Sequence, residues 1–290
     1  MPTPRQIRSR IRVAKNIQQI TKAMKMVAAA RLRRAQDAVG AARPYAQKMR
    51  EVLASLSAGG SSDLTHPLLR QAVGEPSNIA IILITGDRGL CGAYNSSVIR
   101  IATDIARPYG PEHTKFVCIG KKGAVFFRRR GFDVLKEHPV PATGLPFVDA
   151  QTLARTAREL FECGDVDAVY VVYTQFVSAM TQRPKSLLVL PIEPVTSSES
   201  SKGQPADYIF EPDPEQILGG LLPRYVDTQV FQAVVESVAS EHGARMTSMS
   251  NATDNAGKMI SGLTLTLNRV RQAAITKEIA EIVGGAEALK

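Results

Sequence analysis

Apolar residues recur along the first fifty positions in steps of three and four: Ile7, Ile11, Ala14, Ile17, Ile20, Met24, Ala28, Leu32, Ala35, Val39, Ala42, Ala46, Met49, Leu53 and Leu56. From Ala28 onward the steps alternate strictly between four and three, which is the heptad seam of a left-handed coiled coil. Arg5–Leu56 therefore reads as one long amphipathic helix rich in seam alanine. Gly40 and Pro44 interrupt it chemically, but the apolar phase survives both, so a kink is expected there rather than an end. The stop comes at Ala58-Gly59-Gly60-Ser61-Ser62. A second segment follows Pro223, with a seam at Phe231, Val235, Val238, His242, Met246, Met249, Thr253, Ala256, Ile260, Leu263, Leu267, Val270 and Ala274. Gly284-Gly285 is its expected C-terminal stop. Helices of about 50 and about 60 residues would reach about 75 and about 90 Å. One carries the chain into the middle and the other carries it out, so if they pair, they pair antiparallel. The alternative is two helices packed separately on a central domain.

Between them the period changes. Ile79–Thr85 is an unbroken apolar run, as in a strand covered on both faces. Helix is expected at Asn95–Ala106, strand at Lys115–Ile119, a short helix at Gly123–Arg130 and strand at Phe132–Leu135. Helix at Val148–Phe161 and strands at Val166–Tyr173 and Leu187–Leu190 complete the series. Alternation of this kind predicts an α/β, Rossmann-like domain with a mainly parallel sheet. The expected divisions are 1–58 and 212–290 for the long helices and 75–205 for the α/β domain. Ser197–Gln204 reads as a polar loop.

Charge sharpens the picture of the first helix. Residues 1–50 hold thirteen Lys/Arg against Asp37 alone, while the rest of the chain is slightly acidic. A helix so uniformly basic seeks an acidic surface, either nucleic acid or protein. No run of about 18 uncharged apolar residues is present to form a transmembrane helix. Arg5, Arg8, Arg10 and Arg12 lead into a polar helix and not into the apolar core of a signal peptide. Cys91, Cys118 and Cys163 are widely spaced, which predicts neither a metal site nor a disulfide framework.

The sharpest local motif is Thr85-Gly86-Asp87-Arg88-Gly89-Leu90-Cys91-Gly92, directly after the first strand. A phosphate loop would need a Lys and a hydroxyl that are missing here. A nucleophilic Cys91 would want a histidine, and none of His66, His113, His138 and His242 is recognisably paired with it. The third reading is structural: Gly89 and Gly92 permit a tight turn that Asp87 and Arg88 tie down.

Three blocks carry a family resemblance. They are Arg8–Ala29 with Ile20-Thr21-Lys22-Ala23-Met24, the turn Asp87–Gly92, and Met246–Gly285 with Ala252–Ala256, Asn268–Ala273 and Ile275–Ile279. In order and spacing they resemble the gamma subunit of F-type ATP synthases over nearly the whole chain. The resemblance implies a non-catalytic rotor shaft without cofactor or metal, one copy standing inside a ring of alpha and beta subunits. It places Met24, Arg271, Gln272, Thr276 and Glu278 against beta-subunit loops. Tyr208 and Glu211–Pro214, with Glu211 and Asp213 as the acids, fall in a foot that meets the epsilon subunit and the c-ring. An apolar tip (Ile279, Ile282, Val283, Ala286, Leu289) would turn in a bearing. Chloroplast members carry a close cysteine pair that has no counterpart here. The starting methionine and the absence of a presequence favour a bacterial protein at the cytoplasmic face of the plasma membrane. The rivals are a basic coiled-coil nucleic-acid binder, whose first helix has Tyr45 as its one aromatic residue, and an α/β enzyme using Cys91.

Overall fold

The computed structural model describes residues 3–58, 66–70, 74–141, 147–192 and 214–287. In chain order the main elements are α1 (Pro4–Ala58), β1 (Ile79–Ile84), α2 (Tyr94–Ala106), β2 (Thr114–Ile119), α3 (Lys121–Arg128), β3 (Asp133–His138), α4 (Phe147–Glu162), β4 (Ala168–Phe176), β5 (Gln182–Leu190) and α5 (Pro214–Glu287). The chain divides into two compact units, Met1–Ala28 with Arg245–Lys290, and Ala29–Ala244. Both long helices run through both units.

The larger unit holds the sheet, ordered β3-β2-β1-β4-β5. β1 pairs parallel with β2 and β4, and β2 with β3, whereas β5 runs antiparallel to β4. β1 is buried along its whole length, as a central strand with both faces covered must be. Ile79, Ile81 and Leu83 share a core with Val98 and Ala102 of α2, Phe116 of β2, and Ala124 and Phe127 of α3. The Phe116 and Phe127 rings stack at 4.0 Å, and Phe132 meets both edge-on. The alternate residues Ala80, Ile82 and Ile84 point to the opposite face and are equally buried.

Three expectations are corrected. The second long helix does not begin after Pro223; it begins at Pro214 and contains Pro223. A proline in a helix interior clashes with the carbonyl four residues back and denies it a partner. Here that residue is Gly219, which is exposed and has nothing within 4 Å of where a Cβ would stand. α1 repeats the arrangement, with exposed Gly40 four residues before Pro44, and continues unbroken to Ala58. Nor does Gly284 end α5, which stays helical to Glu287; a helical glycine costs only about 1 kcal/mol. Finally, the last strand starts at Gln182, five residues earlier than its apolar part suggests. The loop at Ser197–Gln204 lies outside the described residues.

Within the larger unit, α5 from Val226 to Gly243 is buried at every position except Phe231 and Gln232, which are half-buried. Its polar residues have specific partners. β4 is longer than β1, so Thr174 has no strand on its β1 side. The Ser237 hydroxyl accepts from the Thr174 N–H at 3.2 Å, and the Ser240 hydroxyl donates to the Thr174 carbonyl at 3.0 Å. Two serines thus take the place of a strand. Because Thr174 points its backbone groups toward α5, its partner Pro184 on β5 points outward, at the sheet edge where a missing N–H is tolerated. Asp227 accepts from Gln151 at 3.4 Å and pairs with Arg158 of α4 at 3.3 Å. Burial raises the Asp227 carboxyl above its ordinary range, while Arg158 and Gln151 pull it back.

Candidate functional site: the paired helix ends and the turn after β1

In the smaller unit α1 and α5 lie antiparallel. The Thr253 hydroxyl is 2.8 Å from that of Thr21, Lys25 Nζ donates to Ser250 Oγ at 3.0 Å, and a Cβ on Gly257 would stand 3.2 Å from Gln18 Nε2. Three or four residues up one helix match three or four down the other. The α5 seam follows the heptad through Met249, Thr253, Ala256, Ile260, Leu263, Leu267 and Val270, all buried or half-buried.

The α1 seam differs from expectation at three places, where Gln18, Thr21 and Lys25 take the positions expected of Ile17, Ile20 and Met24. Ile17 and Ile20 are 48% and 59% exposed, and the positions facing α5 are Gln18 and Thr21, the latter only 8% exposed. With Ile7, Ile11, Ala14, Lys25 and Ala28 these restore a strict four-three alternation. Polar residues hold the middle of the seam, so an apolar pattern alone selects the neighbouring stripe.

The same register sets Pro4, where α1 begins, level with about residue 271 of α5. From Arg271 to Gly284 every α5 side chain is exposed. The helix therefore continues alone for about 17 residues, or about 25 Å. Arg271, Gln272, Thr276 and Glu278 all lie on this free end, together with the exposed Ile275, Ile279, Ile282 and Val283. Met24 is half-buried and level with about residue 251, so about 30 Å of helix separates it from Arg271. The five residues expected to meet beta-subunit loops thus form two stations along the helices.

Charge divides sharply between the units. Met1–Ala28 and Arg245–Lys290 contain thirteen Lys/Arg and four Asp/Glu. Of the chain's 36 basic and 27 acidic residues, 23 of each remain for the larger unit. The whole excess of nine belongs to the smaller one.

The turn after β1 is a built clasp. Asp87 Oδ1 accepts from the Lys121 N–H, the first of α3, at 3.0 Å, and Oδ2 accepts from the Val140 N–H at 3.1 Å. Asn95 accepts from the Gly86 N–H at 2.7 Å and donates to the Arg88 carbonyl at 3.4 Å and to Cys91 Sγ at 3.3 Å. Gly92 and the exposed Leu90 both take positive φ, 58° and 63°, whereas Gly89 has open space around it. Arg88 contributes its carbonyl, and its side chain is exposed. Gly120 is irreplaceable for two reasons: its φ is 94°, and a Cβ would lie 2.1 Å from the Thr85 carbonyl oxygen. Asn95 and Gly120 carried no sequence signal that distinguishes them from ordinary helix and loop residues. Cys91 is buried against the turn, with an amide and a carbonyl as its neighbours. Among the described residues no group of three or more His, Cys, Asp or Glu could hold a metal ion, and no helix is long and apolar enough to cross a membrane. Tyr208, Glu211 and Asp213 lie outside the described residues.

The model of the ATP synthase family matches residues 3–289. The ATP synthase gamma chain of Heliobacterium modesticaldum is 48% identical over 294 residues, covering 100% of both chains. This chain belongs to the ATP synthase gamma family. The gamma chain of Desulforamulus reducens is 47% identical, again over the full length of both. Among solved structures, a chain of the central stalk and c-ring of the Tetrahymena thermophila mitochondrial ATP synthase matches with TM-score 0.60 and 26% identity, over 80% of this chain and 99% of that one. A chain from the Euglena gracilis mitochondrial enzyme matches with TM-score 0.68, over 99% and 94%; at 20% identity it speaks for the fold alone. For a gamma-family chain the fold is as expected, mixed α/β with a mainly parallel sheet and long terminal helices.

Proposed function

We propose that this chain is the central rotor shaft of an F-type ATP synthase, coupling rotation of a membrane c-ring to ATP synthesis and hydrolysis at beta subunits. The observation that carries the reading is the free end of α5, where Arg271 to Gly284 expose apolar and charged side chains together and no companion helix is found among the described residues. Exposed apolar residues at that density need a surrounding partner. The net charge of the same unit sits mainly on the start of α1, where residues 1–28 hold seven Lys/Arg and no acid, and it gives the partner beside the paired helices its sign: acidic, as a protein loop is, and not a lipid tail. The partners are then a ring of alpha and beta subunits around the helices, with the epsilon subunit and the c-ring at a foot that includes Tyr208, Glu211 and Asp213.

The mechanism is mechanical allostery. The faces of the helix pair differ, so beta subunits of identical sequence meet different surfaces, and each is biased toward a different nucleotide affinity. Turning the shaft exchanges the biases. A shaft can shift an equilibrium only by as much as its contacts differ between states. Arg271, Gln272, Thr276 and Glu278 would make such contacts at one level and Met24 at another. Ile275, Ile279, Ile282 and Val283 would turn in an apolar collar. No residue of this chain is assigned to phosphoryl transfer, and the complex works peripherally, at the cytoplasmic face of a bacterial membrane.

The test is co-expression with cognate alpha and beta subunits, followed by gel filtration and an ATPase assay. One copy per hexamer, with activity well above that of alpha and beta alone, is expected. Failure to co-elute would remove the reading.

A further inference from the structure

α1 carries two parallel stripes between residues 13 and 28. One is the seam, Ala14, Gln18, Thr21, Lys25 and Ala28. The other is Val13, Ile17, Ile20, Met24 and Val27, each one residue earlier. The second stripe is the more apolar at all five positions, and yet Val13, Ile17, Ile20 and Val27 are exposed while Ala14, Thr21 and Ala28 are buried. A rotation of α1 by about 100° with a slide of about 1.5 Å would exchange them. Hydrophobic burial over this stretch favours the exchange, so something else opposes it.

The opposing groups are polar. The Thr21 and Thr253 hydroxyls are 2.8 Å apart, Thr253 is also 2.7 Å from the Met249 carbonyl, and Thr21 is 3.1 Å from the Gln18 carbonyl. Each hydroxyl has one proton. Either Thr253 donates to Met249 and accepts from Thr21, or it donates to Thr21, which donates to Gln18; both keep the bond between helices. Lys25 to Ser250 adds a second bond. Rotation would break both and set Ile17, Ile20 and Met24 against Ser250 and Thr253. Polar residues at seam positions fix register in coiled coils at a cost in stability. Ile7 and Ile11 before this stretch, and Leu32, Val39, Met49 and Leu53 after it on the same continuous helix, are buried or half-buried in the same phase, but from Ala14 to Ala28 the seam itself holds no apolar residue larger than alanine.

We infer that Thr21 and Lys25, with Thr253 and Ser250, are positioning residues that lock the rotational phase of α1 between Ala14 and Ala28, where the seam has no large apolar anchor. The lock keeps Val13, Ile17, Ile20 and Val27 turned outward, with Met24 half-buried at the edge of the stripe. In the rotor reading, on which only this last step rests, that stripe is what the surrounding subunits feel.

The test uses the full-length chain with Cys163→Ser, which removes the exposed cysteine, and a reporter thiol at either Val13 or Ala14. Maleimide labelling should be roughly tenfold faster for Val13→Cys than for Ala14→Cys, since one site is open and the other needs local opening. Adding Ser250→Ala and Thr253→Val should collapse or invert that ratio while the far-ultraviolet helix signal is kept. Restoring the hydroxyl with Thr253→Ser should restore it. An unchanged ratio in the lock-free chain would overturn the inference, leaving the apolar anchors on either side, Ile7 and Ile11 and Leu32 to Leu53, as sufficient. Loss of the helix signal would overturn it too, because the pairs would then hold the helices together rather than choose their phase. No partner subunit takes part, so this outcome is independent of whether the chain assembles as a rotor.

Discussion

Replacing Asp87 with Ala separates a structural turn from a working one. The carboxylate joins three segments: its own turn, the N-terminus of α3 through Lys121, and the chain leaving β3 through Val140. Hydrogen bonds to a charged acceptor contribute about 1.5–3 kcal/mol each. Lys121 is exposed, so water takes over part of that bond in the variant, whereas Val140 is half-buried and its N–H is left poorly served. The helix N-terminus adds about 0.3–1 kcal/mol for a nearby anion. A loss of about 3 kcal/mol is therefore expected, which lowers the melting temperature of a domain this size by about 6–12 °C. Differential scanning calorimetry of the full-length chain measures it. Asp87→Asn, which keeps an acceptor and loses the charge, should fall between the two. A melting curve for Asp87→Ala within a degree of the parent, together with a loss of coupled ATP synthesis in the assembled complex, would refute the clasp and make the turn a contact site.

Four further outcomes are expected. Leu263→Ala should cost less than the 2–5 kcal/mol range of a fully buried leucine, about 1–2 kcal/mol, because Leu263 is half-buried in the seam; urea unfolding measures it. In the native chain Cys163 should react with a thiol reagent and Cys118 should not, since burial pushes the Cys118 thiol up to about 12; mass spectrometry after brief labelling distinguishes them. Asp227 is an acid whose folded pKa is raised, so its proton favours the folded state, and stability is lost as pH rises from the unfolded value near 3.8 through the folded one. Asp227→Asn lacks that slope, and its stability relative to the parent should climb across this window in denaturant titrations; a flat difference would mean that Arg158 cancels the burial. Arg271→Glu should leave assembly intact and weaken coupling, because a side chain facing acidic loops would repel them; undiminished proton-driven synthesis would take Arg271 out of the proposed contact set.

What the sequence made legible depended on whether burial and polarity agreed. They agree in β1, where six apolar residues are all buried, and in the α5 seam, where Met249 to Val270 keeps a strict heptad. They disagree in three places. Gln18 and Thr21 face α5 because a hydroxyl pair substitutes for apolar contact, and periodicity cannot see a pair 232 residues apart in sequence. Gln182–Lys185 form half of an edge strand, where polar side chains and a proline are allowed, so the hairpin after β4 and the antiparallel turn it makes were hidden. Pro223 was read as a boundary because proline opposes a helix locally, whereas the burial of Leu218, Leu222 and Val226 on either side of it, which sustains the helix, shows only in the fold. At the turn the motif was legible and its clasp was not: Asp87 stood out, while Lys121 and Val140, which it holds, are 34 and 53 residues away.

Helix α5 breaks the usual partition of side chains in both directions. Between Val226 and Gly243 it buries Asp227, Glu236, Ser237, Ser240, Glu241 and His242, and beyond Val270 it exposes Ile275, Ile279, Ile282 and Val283. The first violation has a visible compensation for the serines and Asp227, in Thr174, Gln151 and Arg158. The second has none among the described residues. A longer α1 would not provide one. The seam, continued past Val270 in its own period, falls on Ala274, Lys277 and Glu281, and Ile275 and Ile282 each follow a seam position by one residue. The apolar stripe of the free end is thus turned by about 100° from the face that α1 covers. Whatever covers it approaches from another side, which an encircling collar does and a paired helix does not.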